Sequence, residues 1–480
     1  VSRAGENDAI VVGSGPNGLL AAITLARAGL KVTVFEAAPH AGGGLRSEPL
    51  TLDGFVHDVC SAVHPLALAS PAFADLDLEA HGVRWCMPDV ALAHPLDGGI
   101  AATVVCSVEE TADGLGVDGD VYRELMAPLV EHGDAIIDGL LSPIRVPRAP
   151  ITLARFGFSA VRSAKGLASS RFETPLARAL FAGIAAHAML PLADTGTAGY
   201  GLFLGLLAHL VGWPVVEGGS QHLADVLVAI LEASGGTVVT DHEVTSLRDL
   251  PPARAVVLDL TPRQILRIGA GELPHRYVHG LERFRYGPGV FKIDWALDGP
   301  VPWAAPGVAD TATVHLGGTL EEMIRSESDS HAGVHAARPY VLFVQPTVVD
   351  PSRAPAGKHV AWAYCHVPNG SVRDRTSEIE AQVERFAPGF RDLVLARHVM
   401  DTAAVEAHDA NYVGGDINGG AGDIRQLFTR PVISPRPWVT PRPGLYICSS
   451  STPPGGGVHG MCGRHAAEAV LARPAARFTR

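Results

Sequence analysis

The sequence predicts an α/β fold: a parallel-sheet layer collected from separated stretches of chain, with an α+β portion inserted between them. Three observations predict it. An apolar, β-branched run, Ala9 to Val12, leads straight into a glycine turn and a helical pattern. A second strand–glycine–helix unit stands near the other end, from Gly444 to Leu471. The 480 residues are 47% hydrophobic and only 18% charged, so a large core can be buried and disorder is excluded. A chain of this length is too long for one compact domain and fits two or three.

The first unit reads in order. The Ala9–Val12 run has no periodicity, as expected of a strand covered on both faces. Gly13-Ser14-Gly15-Pro16-Asn17-Gly18 follows, then Leu19, Leu20, Ile23, Leu25 and Ala26 at helical spacing, with Gly29 ending the helix. Lys31 to Phe35 reads as a second strand, and Glu36 stands at its end. Gly13 permits a sharp turn, Gly15 lets backbone approach a pyrophosphate, and Gly18 lets the helix pack close to the strand. Pro16 and Asn17 open the helix, whose free N–H groups and positive dipole end suit phosphate. Glu36 can accept hydrogen bonds from a ribose and would repel a 2′-phosphate, which favours FAD or NAD over NADP. A bare glycine pattern is weak evidence; in the order strand, turn, helix, strand, acid it is strong.

The segments that follow bear on the choice between FAD and NAD. Ala37 leads to Gly42-Gly43-Gly44-Leu45-Arg46. A plain NAD domain has no need of a second glycine cluster with an arginine, whereas a flavin dinucleotide reaches further; the competing reading is an ordinary glycine loop with a solvated arginine. In the middle of the chain, Pro214 to Ser220 precedes a helix over Gln221 to Ser234, ended by Gly235-Gly236, and then a strand over Thr237 to Thr240 and the segment Asp241 to Leu247. At the end, Gly444 to Cys448 reads as a strand, Ser449 to Pro454 as a turn, Gly455 to Gly460 as a glycine-rich opening, and Met461 to Leu471 as a helix. That unit can aim N–H groups at the O2/N1 edge of an isoalloxazine and stabilise its reduced form.

The Gly13 motif, Glu36, Gly42-Gly43, Gly218-Gly219, Val244 and the C-terminal PGGGVHG together resemble the phytoene desaturase and amine oxidase superfamily of FAD-dependent oxidoreductases. Residues 54–58, 61–65, 286–292 (YGPGVFK) and 412–417 (YVGGDI) bring the resemblance nearer to its pyridine nucleotide-disulphide oxidoreductase domain 2-like branch. The resemblance implies a discontinuous Rossmann-type FAD-binding domain with an inserted substrate domain. It implies that Gly13, Gly15 and Gly18 hold the FAD pyrophosphate, Glu36 the adenosine ribose, and Val244 the adenine through its backbone. Arg46 would lie near the pyrophosphate or ribityl chain, with Ala37, Gly43 and Gly44 alongside, and Gly457 and Val458 against the flavin ring. Two departures stand out: Ser449 replaces the usual glycine after the last strand, and Ser450 replaces a carboxylate common in relatives, which puts acidic recognition of the ribityl chain in doubt. Cys60 stands where relatives often carry glycine.

The implied plan has five pieces: FAD-binding parts at 1–75, 212–275 and 425–480, and substrate-domain parts at 76–211 and 276–424. Proline-rich stretches near Pro143 to Pro150 and Pro431 to Pro443 are expected connectors. The formal net charge of −12 argues against nucleic acid as a partner. Six scattered cysteines with no C-x-x-C pair exclude a redox dithiol and suit a reducing compartment. The opening residues run directly into the first strand, so the expectation is a cytoplasmic protein. No histidine spacing points to a metal.

From Ala179 to Val216 the one acidic or basic residue, histidines aside, is Asp194. Thr195 to Val216 is long enough to span a bilayer, but Gly201, Gly205, Gly212 and Pro214 interrupt it. A buried helix lining an apolar substrate cavity or a subunit interface is favoured; peripheral membrane contact and a homo-oligomer stay open. Candidates beside the flavin are His64, Asn411, Asp416 and His459, each weighed against a purely structural role. The function expected is hydride transfer between a hydrophobic or amphipathic small molecule, polyene- or isoprenoid-like, and the flavin. Oxygen, a quinone or a partner protein would recycle the flavin. The alternatives are a flavin amine oxidase and a non-catalytic FAD-binding scaffold. Aromatic residues make up only 6% of the chain, and no paired aromatics precede the C-terminal glycines, which disfavours the amine oxidase.

Overall fold

A computed structural model describes residues 7–143, 148–473 and 478. The strands that organise it are β1 (Asn7–Val12), β2 (Val32–Phe35), β3 (Val90–Leu96), β4 (Ile100–Val104), β5 (Thr237–Val239), β6 (Ala253–Leu258), β7 (Gly289–Leu297), β8 (Thr311–Leu316), β9 (Val341–Val344), β10 (His359–Val367), β11 (Val394–Met400) and β12 (Leu445–Ile447). The helices used below are α1 (Pro16–Arg27), α2 (Gly133–Leu141), α3 (Pro150–Ala160), α4 (Pro175–Ala185), α5 (Thr197–Leu210), α6 (Ser220–Ala233), α7 (Pro262–Gly269), α8 (His275–Glu282), α9 (Ile424–Thr429) and α10 (Met461–Leu471).

Two sheets divide the work. A five-stranded sheet of order β12-β6-β1-β2-β5 is parallel throughout. Its strands come from the start, middle and end of the chain. Both faces are covered: Leu19, Ile23, Leu227 and Ala466 pack on one side, Ile265 and Leu281 on the other. This is why its strands read as unbroken apolar runs. A mixed seven-stranded sheet of order β11-β7-β10-β9-β8-β3-β4 carries α4 and α5 against one face. Trp295, Phe343 and Phe390 pack together on the other.

Helices α1 and α10 cross at a point that tolerates no side chain. A Cβ added to Gly463 would sit 1.9 Å from the Asn17 carbonyl, and one added to Gly18 would sit 2.2 Å from the Gly13 carbonyl. These two contacts bring the N-terminal glycine turn and the C-terminal helix into one layer.

The apolar stretch expected over Thr195 to Val216 becomes the 14-residue α5, packed on α4 so closely that a Cβ at Gly201 would meet the Phe181 ring at 2.9 Å. Among the described residues no helix is long and apolar enough to cross a membrane. Leu76, Leu78 and Val83, just past the expected limit at 75, share the core beneath the five-stranded sheet. The expected limits at 275/276 and 424/425 fall at the first turns of α8 and α9, and Tyr277 and Leu281 of α8 pack with Val256 and Leu258. The connector expected at Pro143 to Pro150 lies partly outside the described residues.

Alanine at an unobstructed helix position gains up to about 1 kcal/mol over glycine. Gly463→Ala is expected to reverse that sign and destabilise by about 1–3 kcal/mol through overpacking. Gly157→Ala, in mid-α3 with nothing within 4 Å of its added methyl, should be neutral or stabilising. Urea denaturation of the two variants beside the parent checks the pair.

Candidate functional site

One cavity of about 1190 Å³ runs along the molecule. At one end lie Gly13 to Asn17, Glu36, Ala37 and Val244; it continues past Gly43, Gly44 and Arg46 to Ser449, Ser450 and Gly456 to His459. Residues 13–17 and 456–459, remote in sequence, therefore share one elongated crevice. Beyond the C-terminal glycines the walls turn apolar, with Phe156, Phe203, Leu204 and Leu427. Of the residues expected to hold a dinucleotide, Gly18 alone is not in the wall. Its N–H instead donates to Asp259 Oδ2 at 2.8 Å.

The walls fit a dinucleotide on their own geometry. Gly13 has φ +98°, a conformation that strains any other residue, and a Cβ there would meet the Asp259 carbonyl oxygen at 3.0 Å. A Cβ at Gly15 would meet Asp259 Oδ2 at 2.8 Å, and one at Gly43 would meet Gly15 Cα at 3.0 Å. The two glycine turns thus touch backbone to backbone, with the Glu36 and Asp259 carboxyls bonded to the Ser14 and Gly18 N–H groups of the first. Glu36 is fixed at its strand end by Ser14 N (2.9 Å) and Ser14 Oγ (2.6 Å) on Oε2 and by Ala38 N (2.9 Å) on Oε1. Remaining lone pairs stay available for a ribose. Arg46 Nε donates to the Gly43 carbonyl at 3.0 Å and its Nη2 to the His408 carbonyl, which stiffens the second glycine loop.

Asp259 was missed by sequence reasoning. It follows β6 directly, at the carboxyl end of a parallel strand beside the glycine turn, and that position is the signal that could have found it. It is only 7% exposed. Burial pushes its carboxyl up to about 8, and Asp409 and Glu36 push the same way, against the Gly18 N–H. A neutral carboxyl tolerates a neighbouring phosphate; an ionised one repels it.

The four candidates beside the ring resolve differently. His64 lines the cavity, is buried, and shares a 2.8 Å hydrogen bond between Nε2 and Ser220 Oγ; burial lowers it to about 4, so it is neutral at pH 7. His459 also lines the cavity. Its Nδ1 accepts from Met461 N at 3.0 Å, so Nε2 carries the proton and donates to the Gly455 carbonyl at 3.1 Å. Both nitrogens thereby brace the glycine loop. Asn411 is a bracket: Oδ1 accepts from Thr261 N (2.8 Å) and Nδ2 donates to the Asp259 carbonyl (3.1 Å). Asp416 does not reach the cavity. It accepts from Gly287, Asn418 and Gly420 N–H groups and is a turn anchor, not a reacting group.

Two further groups escaped the sequence reading because long-range packing assembles them. Trp362 and Tyr364, on one face of β10, stack with ring centroids 6.0 Å apart and line the cavity. An aromatic pair thus lines the cavity, supplied by a central strand and not by residues before the C-terminal glycines. Beside it, His187 and His315 face each other with Nε2 atoms 3.0 Å apart, and burial holds both neutral. The Lys292 ammonium, ion-paired with Asp294, lies 5.3 Å from the Trp362 ring.

A family profile described as an NAD(P)-binding Rossmann-like domain matches residues 11–76. Over 97% of this chain and 93% of the relative, the sequence is 27% identical to the mouse pyridine nucleotide-disulfide oxidoreductase domain-containing protein 2. It is 27% identical to the phytoene dehydrogenase of Streptomyces griseus over 81% of this chain and 77% of that enzyme. In sequence the chain is similar to the phytoene desaturase and amine oxidase superfamily of FAD-dependent oxidoreductases. The fold agrees with this. An oxidoreductase from Methanosarcina mazei superposes with a TM-score of 0.65 at 19% identity, covering 97% of this chain and 99% of that one. A putrescine oxidase with putrescine bound superposes with a TM-score of 0.61 at 18% identity, covering 98% and 99%. The residues that line the crevice fit FAD, the cofactor that this similarity implies. Gly13 to Asn17, Glu36, Val244, Gly43, Gly44 and Arg46 would hold its adenylate and pyrophosphate, and Ser450, Gly457 and Val458 its ring end.

The Asp259 carboxyl carries a pH signature. Below pH about 8 it is neutral and the pyrophosphate is accepted; above that it ionises beside the phosphates. FAD affinity of the parent is expected to fall as pH rises through about 8, and Asp259→Asn to remove that fall. Fluorescence titration of FAD at pH 6.5 and 9 decides it, and a parent affinity that stays level across the range would contradict it.

Proposed function

We propose that this oxidoreductase moves a hydride between an apolar or amphipathic small molecule, polyene- or isoprenoid-like, and its FAD. The observation that carries the reading is continuity: the crevice with the dinucleotide signature opens, past Gly456 to His459, into a chamber walled by Phe156, Phe203, Leu204 and Leu427. Bound FAD supplies a two-electron acceptor there. The chain contributes orientation and exclusion of water. Hydrophobic walls hold a C–H bond in place without polar anchoring, and desolvation is set by side chains already buried. His64 and His459 are neutral and engaged with Ser220 and Gly455, so they position the wall. The recycling oxidant is oxygen, a quinone or a partner protein in this reading.

Exposed Leu140, Val161 and Phe428 also line the cavity, which supports delivery of a lipid-soluble substrate from a membrane surface. Amine oxidation is the second reading, and the stacked Trp362–Tyr364 pair favours it. Against it stands Lys292, which already places an ammonium, paired with Asp294, 5.3 Å from the Trp362 ring. A scaffold that binds FAD without turnover is separated from both by reduction of the flavin.

The test is purification followed by anaerobic mixing with polyenes, isoprenoid alcohols and amines. Bleaching of the bound flavin by the first two classes is expected. Bleaching by amines alone would replace the reading with the second one. A protein that takes up no FAD would remove it altogether. Leu204→Asp, which places a charge in the chamber, is expected to leave FAD content unchanged and to slow reduction by apolar substrates by about tenfold or more.

A further inference from the structure

Arg430, one residue beyond α9, lines the same cavity and is 3% exposed. It has no carboxylate within ion-pair distance among the described residues. Its Nη2 donates to the Gly419 carbonyl at 3.1 Å, and its Nε is buried with no partner. The two nearest acids are committed elsewhere. Asp416 is taken by the N–H groups of Gly287, Asn418 and Gly420. Asp423 Oδ2 pairs with Arg285 at 2.6 Å, and Oδ1 caps Arg425 N and Gln426 N. Burial pulls the guanidinium below its usual range, yet an arginine stays charged in a protein. Taking such a group out of water costs several kcal/mol unless an anion meets it.

The surroundings say where that anion would lie. A Cβ added to Gly455 would sit 2.7 Å from Arg430 Nη1, and one added to Gly420 would sit 3.1 Å from Nη2. The guanidinium is thus wedged between the 419–420 and 455–457 glycine loops, at the end of the crevice where dinucleotide site and apolar chamber meet. Arg46 lies on the second glycine loop instead, and Arg267 is paired with Glu243. No other arginine in the cavity wall serves this junction.

We infer that Arg430 holds an anionic, two-acceptor ligand edge at the junction between the cofactor crevice and the apolar chamber. Two sources carry that chemistry. One is the N1–C2–O2 edge of the reduced flavin, and this arm rests on the FAD reading above. The other is the carboxylate of an amphipathic substrate whose tail fills the chamber, and this arm stands without bound FAD.

The experiment compares the parent holoprotein with Arg430→Met and Arg430→Lys. Two quantities are read: the flavin reduction midpoint by dye equilibration, and the preference for decanoate over methyl decanoate. The preference is read from the flavin absorbance change and, in cofactor-free protein, from thermal shift. A lower midpoint in Arg430→Met with the decanoate preference intact assigns the charge to the flavin edge. Loss of an about tenfold or greater decanoate preference with an unchanged midpoint assigns it to substrate. Arg430→Lys keeps the charge without the fork and should fall between parent and Met variant in whichever quantity moves. Its values decide alone if the Met variant does not fold. Parent-like midpoint and parent-like preference in the variants overturn the inference. If the parent binds no FAD, the FAD reading has failed, and the thermal-shift arm still decides: an Arg430-dependent decanoate preference supports the inference, and its absence in the parent overturns it.

Discussion

The arrangement depends on close backbone approach at the start of α1. Gly18 lies against the Gly13 carbonyl, Gly463 of α10 lies against the Asn17 carbonyl, and Asp259 accepts from the Gly18 N–H at 2.8 Å. Three segments separated by hundreds of residues are fixed around one helix N-terminus. Any side chain at those glycines would push apart the elements that define the crevice. The five-stranded sheet supplies the rigid base, because its inner strands β1 and β6 are covered on both faces.

Electrostatics follow from the same packing. A dinucleotide crevice closed by two sheets leaves few charged groups in contact with water. Of the histidines in its wall, His64, His187, His408 and His459 are held neutral by burial. Asp259 is pushed toward its protonated form by the same cause. Lys292 and Arg430 are among the groups that keep positive charge inside this low-dielectric region. Lys292 is matched by Asp294, whereas Arg430 has only a carbonyl. That contrast separates a cation whose partner is built in from one whose partner must arrive. The chamber beyond is apolar, which suits substrates held by shape and desolvation, and puts the burden of recognition on a few polar groups at its entrance.

Much of the cofactor site was legible in the sequence because it consists of local patterns. A glycine turn between an apolar strand and a helix demands one backbone path wherever it occurs, and Gly13, Gly15 and Glu36 are read from such a path, whereas Gly43, Val244, Gly457 and Val458 came from the family resemblance. Asp259 and Arg430 were not legible. Each is an ordinary charged residue in sequence, and only burial among glycine loops gives it meaning. The Trp362–Tyr364 pair was hidden for another reason: alternate residues on a strand share a face, but which face meets a cavity depends on partners far along the chain. For Asp416 the turn reading, weighed above proximity to the ring, matches its contacts: its carboxylate accepts from Asn418 and Gly420 of its own turn and from the distant Gly287.

The sequence by itself determined the α/β class, the dinucleotide turn with its acid and the C-terminal glycine unit, since each rests on steric rules that act within a few residues. Tertiary structure alone decided which of these units face one another and which charges lose their water. Those outcomes depend on long-range packing and on the free energy of desolvation. No local pattern encodes either one.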